Sequence, residues 1–389
     1  MFEFFPNHYS WSTAALMAVQ LGGELSEVDE ACRPLLDAAK LPDARNNPVA
    51  QKLWVDRWSA LARKVEALAE ADEHAGHPFS AGRKYRRAAV YFMTAERMAS
   101  RHGPEKGVLY AAYLAAFRKS VGLRSEPVEF VDIAYGNTQL PALLYRAPGA
   151  EPRPAMIHFD GFDVSKEWMH LSGMPHEFAR RGISTLMVDH PGIGAALRLQ
   201  NLPTSPESEK WAAAAMDYLE TRADIDRARV GIIAMSLGGY YAPRAAAFEK
   251  RLACCVAWGA RWDNAESHGR ILRDPNAARS ITGWIDHALH VYGARDIEEA
   301  SAKIAAMTLR DIAHKIECPL LVVHGENDRQ VSADQAHRTI DGAVNSPRRD
   351  LKIFTAAEGG VEHCQGDLFS IAVDWMADWV ADVFVAPRR

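Results

Sequence analysis

The sequence has no basic block. Its 45 lysines and arginines stand against 50 acidic residues for a net charge of −5, spread along the chain, so a phosphate-tracking surface for nucleic acid or an anionic membrane is not expected. It is poor in cysteine. Cys32, Cys254, Cys255, Cys318 and Cys364 are odd in number, scattered and mostly set in apolar runs, which points to reduced, buried thiols and a cytoplasmic setting rather than a disulfide framework. The opening residues 1–6 lack a basic start and are broken by Pro6, so neither a signal peptide nor a membrane-spanning segment is expected. No His or Cys shows zinc-ligand spacing, and His8, His74 and His77 read as capping or solvated residues, so no metal is expected. The glycines of 190–194 do not make Gly-x-Gly-x-x-Gly and no Gly-Lys-Ser/Thr follows, which leaves nucleotide binding without support. With no cofactor implied, the expected partner is a small-molecule substrate.

What is present is a chain of 389 residues, 48% hydrophobic, long enough for a large core and more than one module. Two styles of patterning divide it. Residues 1–125 read as helices throughout, with Trp54, Trp58, Leu61, Val65 and Leu68 marking one stripe and Tyr85, Ala88, Phe92 and Ala95 another. From 126 to 389 short apolar strands alternate with helices, the pattern of a mostly parallel sheet flanked by helices. A helical stretch at about 262–316, longer than a simple crossover, interrupts that alternation.

The chemistry-bearing residues lie at strand ends. Residues 230–240 run from an apolar strand through Ala234-Met235-Ser236-Leu237-Gly238 into a helical pattern. This is the form of a nucleophile elbow, in which a sharp turn tolerates only small residues two positions either side of the serine. Ala234 stands where glycine is usual, and a methyl group is the smallest possible departure. Downstream, the strand 318–325 ends in Glu326-Asn327-Asp328, which makes Asp328 the expected acid and Glu326 its rival. The strand 350–355 leads into a Gly-containing loop carrying His363, the expected base. Singly, such an Asp is ordinarily a turn or cap residue and such a His a surface residue. Together they make the chain order Ser, Asp, His of α/β-hydrolases.

Two backbone N–H groups must converge on the oxyanion, one from the residue after the nucleophile and one from a loop after an earlier strand. Leu237 supplies the first. Gly161 or Phe162, after the strand 154–159, supplies the second, with Phe162 preferred. The insertion offers Trp262, His268, Trp284, His287, His290 and Tyr292 as pocket-wall candidates, although each alone is an ordinary packing residue. Glu266, His268 and His287 are candidates by position for a proton source on the leaving-group side.

The elbow 235–242, the stretch 251–259 and Glu362-His363-Cys364, together with the N-terminal helical module, resemble the group of α/β-hydrolases that includes 2,6-dihydroxypseudooxynicotine hydrolase and fungal polyketide-shortening hydrolases. The likeness spans nearly the whole chain. It implies an α/β-hydrolase fold with an N-terminal helical cap and a helical lid insertion, Ser236, Asp328 and His363 as triad, and a cytoplasmic homodimer. It also implies hydrolysis of a carbon–carbon bond next to a ketone. A carboxylesterase, a lactonase or an acyl-transferring cyclase would use the same residues, whereas a non-catalytic binding protein on this fold would ordinarily have lost one of the three.

Overall fold

The computed structural model describes residues 1–41, 44, 46–274 and 276–385. Contacts divide the chain into two units, Met1–Glu126 with Ala278–His287, and Pro127–Ala277 with Ala288–Arg389.

The first unit is helical. Its three long helices, Pro48–His74, Pro78–Met98 and Pro104–Leu123, each carry proline in the first turn, where its fixed φ suits the helix and its missing N–H costs nothing. Asn47 caps the first of them by accepting from the N–H groups of Val49 and Ala50 at 3.0 and 3.2 Å. Trp54, Trp58, Leu61 and Val65 of that helix are buried as a stripe. The expected last member, Leu68, is exposed, and Ala69 is buried instead. A straight helix turns slightly less than a full repeat every seven residues, so four turns on the inward position has moved by one. His8 is a capping residue: its Nδ1 accepts from the Trp11 N–H at 3.3 Å at the start of the helix Tyr9–Gln20.

The second unit is built on one sheet. Its strands are β1 (Val128–Tyr135), β2 (Thr138–Tyr145), β3 (Arg153–Phe159), β4 (Ser184–Val188), β5 (Ile225–Met235), β6 (Cys255–Trp258), β7 (Leu320–Gly325) and β8 (Arg349–Phe354), ordered β1-β2-β4-β3-β5-β6-β7-β8. β2 pairs antiparallel with both β1 and β4, and β3 to β8 are parallel. The mostly parallel sheet flanked by helices is the architecture expected from the alternating pattern. Residues 230–235 of β5 and all of β4, β6 and β7 are buried, because helices cover both faces of a parallel sheet and leave no polar side to the strand. The helix Gly238–Phe248 packs on β5 and β6, Asp334–Gly342 on β7 and β8, and Met174–Arg180 on β4 with the last helix, Phe369–Val385, against it.

Parallel pairing has the consequence that matters here. The segments following β3, β5, β6, β7 and β8 all leave the sheet at the same edge, where ligands collect in folds of this class. The insertion between β6 and β7 is stitched at its base by the bridge between Asp263 and Thr308 and by the Leu309 N–H donating to the Trp262 carbonyl at 2.8 Å. All five cysteines are free thiols. No helix among the described residues is long and apolar enough to cross a membrane.

Candidate active site

Ser236 follows β5 with φ 62°, a left-handed backbone that an ordinary side chain adopts only when its surroundings enforce it. The enforcement is visible. The Ser236 N–H donates to the Trp258 carbonyl at 2.8 Å, and its own carbonyl receives the Gly239 N–H at 2.8 Å as the helix begins. A Cβ on Gly238 would lie 2.6 Å from the Ala234 Cβ, so the glycine two residues after Ser236 yields the space that the alanine two residues before it takes. A Cβ on Gly161 would lie 2.6 Å from the Leu237 nitrogen and 2.7 Å from the Ser236 Cβ. Only glycine lets the loop after β3 come down onto the elbow.

The Ser236 Oγ lies 2.8 Å from His363 Nε2, and His363 Nδ1 lies 2.6 Å from Asp328 Oδ2. Asp328 Oδ1 accepts from the N–H groups of Gln330 and Val331 at 2.8 and 2.9 Å. Burial pushes this carboxyl up, but the His363 ring, its hydrogen bond, His324 and the Val331 amide outweigh burial and hold it down at about 2. Glu326 is turned elsewhere, accepting from the Ala356 N–H at 2.5 Å on the exposed side of the loop. Arg329 and Asn327 on the acid loop both donate to the buried Glu362 carboxylate, at 2.9–3.0 and 3.2 Å. Asp367 takes the N–H groups of Val361 and Glu362. The two loops that carry Asp328 and His363 are thereby tied to each other.

The loop after β3 is fixed as firmly. The Gly161 N–H donates to the Asp160 carboxylate at 2.6 Å. The Asp160 carbonyl faces His190 Nε2 at 3.0 Å, and Asp163 is paired with Arg198. The buried Lys166 ammonium joins Asp189 and Glu167 at 2.8 and 2.7 Å. Burial alone would lower that lysine, but the two carboxylates raise it and keep it charged. Such satisfied buried networks rigidify a loop.

Among the insertion candidates, His268 stands beside the loop after β3: its ring meets Phe162 edge-on at 5.0 Å, and its Nδ1 lies 2.6 Å from the Tyr292 hydroxyl. Burial, with the charges of Arg261 and His363 adding, pushes the His268 ring well below the ordinary histidine value. Glu266 faces outward and pairs with Arg338, which keeps it ionised; it is not a proton source. Trp262 lays its ring against Gly342 of the helix Asp334–Gly342. Trp284 and His287 are buried residues of the stretch 278–287 that clusters with the first unit. Sequence reasoning missed Arg261, Cys364 and Asp163. Cys364 Sγ lies 3.6 Å from His363 Nε2, and Arg261 is a wholly buried arginine three residues beyond the end of β6. A groove of about 580 Å³ lined by Arg153, Ser184 and Asp224 among others opens at the opposite ends of β3, β4 and β5, away from this chemistry.

Comparison with known proteins gives the same picture at the level of family. The model of the alpha/beta hydrolase family matches residues 156–364, more than half of the chain. The chain is 29% identical over 366 residues to 2,6-dihydropseudooxynicotine hydrolase of Paenarthrobacter nicotinovorans, covering 92% of each protein. It is 25% identical over 379 residues to 20-hydroxy-prefusarin hydrolase of Gibberella moniliformis, covering 86% of this chain and 88% of that one. The crystal structure of the 2,6-dihydroxy-pseudo-oxynicotine hydrolase superposes with a TM-score of 0.75 at 26% identity over 95% of each chain. The chain belongs to the α/β-hydrolase family.

Proposed function

We propose that this hydrolase uses Ser236 as nucleophile, His363 as general base and Asp328 as the carboxylate that orients it, and that it cleaves a carbon–carbon bond next to a ketone in a bulky aromatic or polyketide-like substrate. The observation that carries the chemistry is the continuous line of hydrogen bonds from the Ser236 Oγ to His363 at 2.8 Å and from His363 to Asp328 at 2.6 Å. The likeness to 2,6-dihydropseudooxynicotine hydrolase over 92% of both chains supports the choice of bond.

In this scheme His363 accepts the Ser236 proton as Oγ attacks the carbonyl carbon, and the N–H groups of Leu237 and Phe162 hold the resulting oxyanion. Asp328 fixes the tautomer with Nδ1 protonated and stabilises the imidazolium. As the adduct collapses, the carbonyl of an acyl-Ser236 ester re-forms and the bond to the leaving carbon breaks. Its electron pair passes onto the leaving fragment's own carbonyl oxygen as an enolate, and His363 returns its proton to the carbon. Water then attacks the acyl-enzyme with His363 again as base, releasing the acid and restoring Ser236. The helices of 262–316 form part of the pocket wall through His268 and Tyr292, a role supported by the edge-on contact of His268 with Phe162.

An ester differs only in expelling an alkoxide, so the substrate decides between the two reactions. The expected result is hydrolysis of 1-phenylbutane-1,3-dione to its acid and ketone fragments, with a kcat/KM at least equal to that for p-nitrophenyl butyrate. A protein that turns over the ester and leaves the diketone intact would be a carboxylesterase.

A further inference from the structure

Arg261 lies at this edge and takes no part in the hydrogen-bonded line of Ser236, His363 and Asp328. It follows β6, the neighbour of the nucleophile strand on the side away from β3. Its backbone N–H donates to the Gly239 carbonyl at 3.3 Å, and the strand end leading to it lies against the elbow: a Cβ on Gly259 would be 3.6 Å from the Ser236 nitrogen and 3.7 Å from His363 Cε1. The side chain is 0% exposed. Its Nη1 donates to the Ser267 hydroxyl at 2.7 Å and reaches toward the Asn264 amide oxygen at 3.5 Å. Among the described residues, Nε and Nη2 meet no acceptor and no carboxylate pairs with the guanidinium.

A buried arginine is ordinarily neutralised by a carboxylate in bidentate contact, because a buried, unpaired charge costs several kcal/mol or more. The buried Lys166 obeys that rule with Asp189 and Glu167, and the half-buried Arg198 pairs with the buried Asp163. Arg261 does not. Its surroundings include the phenols of Tyr241 and Tyr292 and the His268 ring, and the carboxylate whose charge reaches it, Asp328, is hydrogen-bonded to His363 instead. Burial draws it below the ordinary arginine value, while Tyr292, Asp328, Cys364 and Tyr241 act on it in the other direction. Its field therefore reaches both the triad acid and the thiol that lies 3.6 Å from His363 Nε2. An arginine stays protonated even here, so among the described residues two donor nitrogens of fixed geometry remain uncommitted, in a desolvated place whose charge is felt at Asp328 and Cys364.

We propose that Nε and Nη2 of Arg261 receive the anionic oxygen of the leaving fragment, an enolate or phenolate, so that the site selects substrates carrying an enolisable carbonyl or a phenol β to the scissile ketone. This rests on the carbon–carbon reading above and supplies what that reading requires, a charge partner for the electron pair released when the bond breaks. Leu237 and Phe162 serve the oxygen of the attacked carbonyl; Arg261 serves the oxygen of the other fragment. The donors are in place before the reaction, which is the condition under which such groups stabilise developing charge most strongly.

The test uses 1-phenylbutane-1,3-dione and p-nitrophenyl butyrate as paired substrates in the full-length protein, with Arg261→Met and Arg261→Lys. Arg261→Met is expected to lower kcat/KM for the diketone at least thirty-fold more than for the ester, with Arg261→Lys in between. Its Tm should be equal to or above the parent's, because a charge kept without a protein partner works against folding. Equal losses on both substrates with a lowered Tm would make Arg261 a structural residue and overturn the assignment. A second measurement is independent of turnover. In Ser236→Ala, absorbance titration of bound 1-phenylbutane-1,3-dione should show its enol ionising at lower pH than in free solution, and adding Arg261→Met should abolish that shift. Absence of an Arg261-dependent shift, including absence of binding, overturns the inference. A shift in a protein that hydrolyses only the ester keeps Arg261 as an anion site and removes the carbon–carbon reading instead.

Discussion

Replacing Ser236 by alanine is expected to lower kcat on the best substrate by about 10⁵–10⁶-fold, the scale seen when a serine nucleophile is removed from a working triad, with Tm within a few degrees of the parent. The two halves of that expectation have separate causes. In the proposed mechanism the hydroxyl is the atom that forms the acyl-enzyme, and alanine has no group to replace it. The fold depends instead on backbone features that alanine retains: the N–H bond from residue 236 to the Trp258 carbonyl, the small residues Ala234 and Gly238, and a φ of 62° that strains alanine about as much as serine. Stopped-flow and steady-state assays with scanning calorimetry on the same preparation check both. Retained turnover in a pure sample would remove Ser236 from the chemistry.

Asp328→Asn is expected to lower kcat by about 10⁴-fold, the cost of a wrong imidazole tautomer in other triads, whereas Glu326→Gln should change it less than about threefold. The asymmetry follows from where the two carboxylates point. Asp328 accepts from His363 at 2.6 Å and from two loop N–H groups on its other oxygen. An amide offers one oxygen for these demands and presents a donor where a second acceptor is required. Glu326 only holds the Ala356 N–H at the rim of the loop. The reverse ranking would reassign the acid. Asp328 also carries a pH signature. Its carboxyl is held down at about 2, below the ~3.9 of an unfolded aspartate. A depressed folded value contributes stability that is present above about pH 4 and is lost as pH falls toward 2. In Asp328→Asn, Tm should fall less steeply across that window than in the parent.

Much of the fold and the key residue types of the site are legible in the sequence, for a physical reason. An elbow demands small residues around its serine, a parallel strand buried on both faces demands an apolar run, and the groups at strand ends must be polar to do chemistry. Ser236, Asp328 and His363 stand out because each breaks an apolar strand with a residue of the required type. The insertion is less legible, since a helix's inward side depends on packing set far along the chain. Glu266 reads as a proton source until Arg338, 72 residues on, is seen to claim it. Trp262 reads as pocket wall until Gly342 is seen beneath it. Leu68 shows the same limit on a smaller scale, the stripe drifting to Ala69. Arg261 is the largest omission. An arginine just after a strand is ordinarily solvated or snorkelling, and nothing in the residues around it marks that this one is wholly buried and without a carboxylate.

The most direct measurement is covalent labelling with a fluorophosphonate, followed by peptide mapping by mass spectrometry. Ser236 as an activated nucleophile predicts one adduct per chain, on the peptide containing Ser236, formed at least a hundredfold more slowly in His363→Ala and not at all in Ser236→Ala. An adduct on another residue, or full hydrolytic activity in a protein that takes no label, would mean that the chemistry does not run through Ser236.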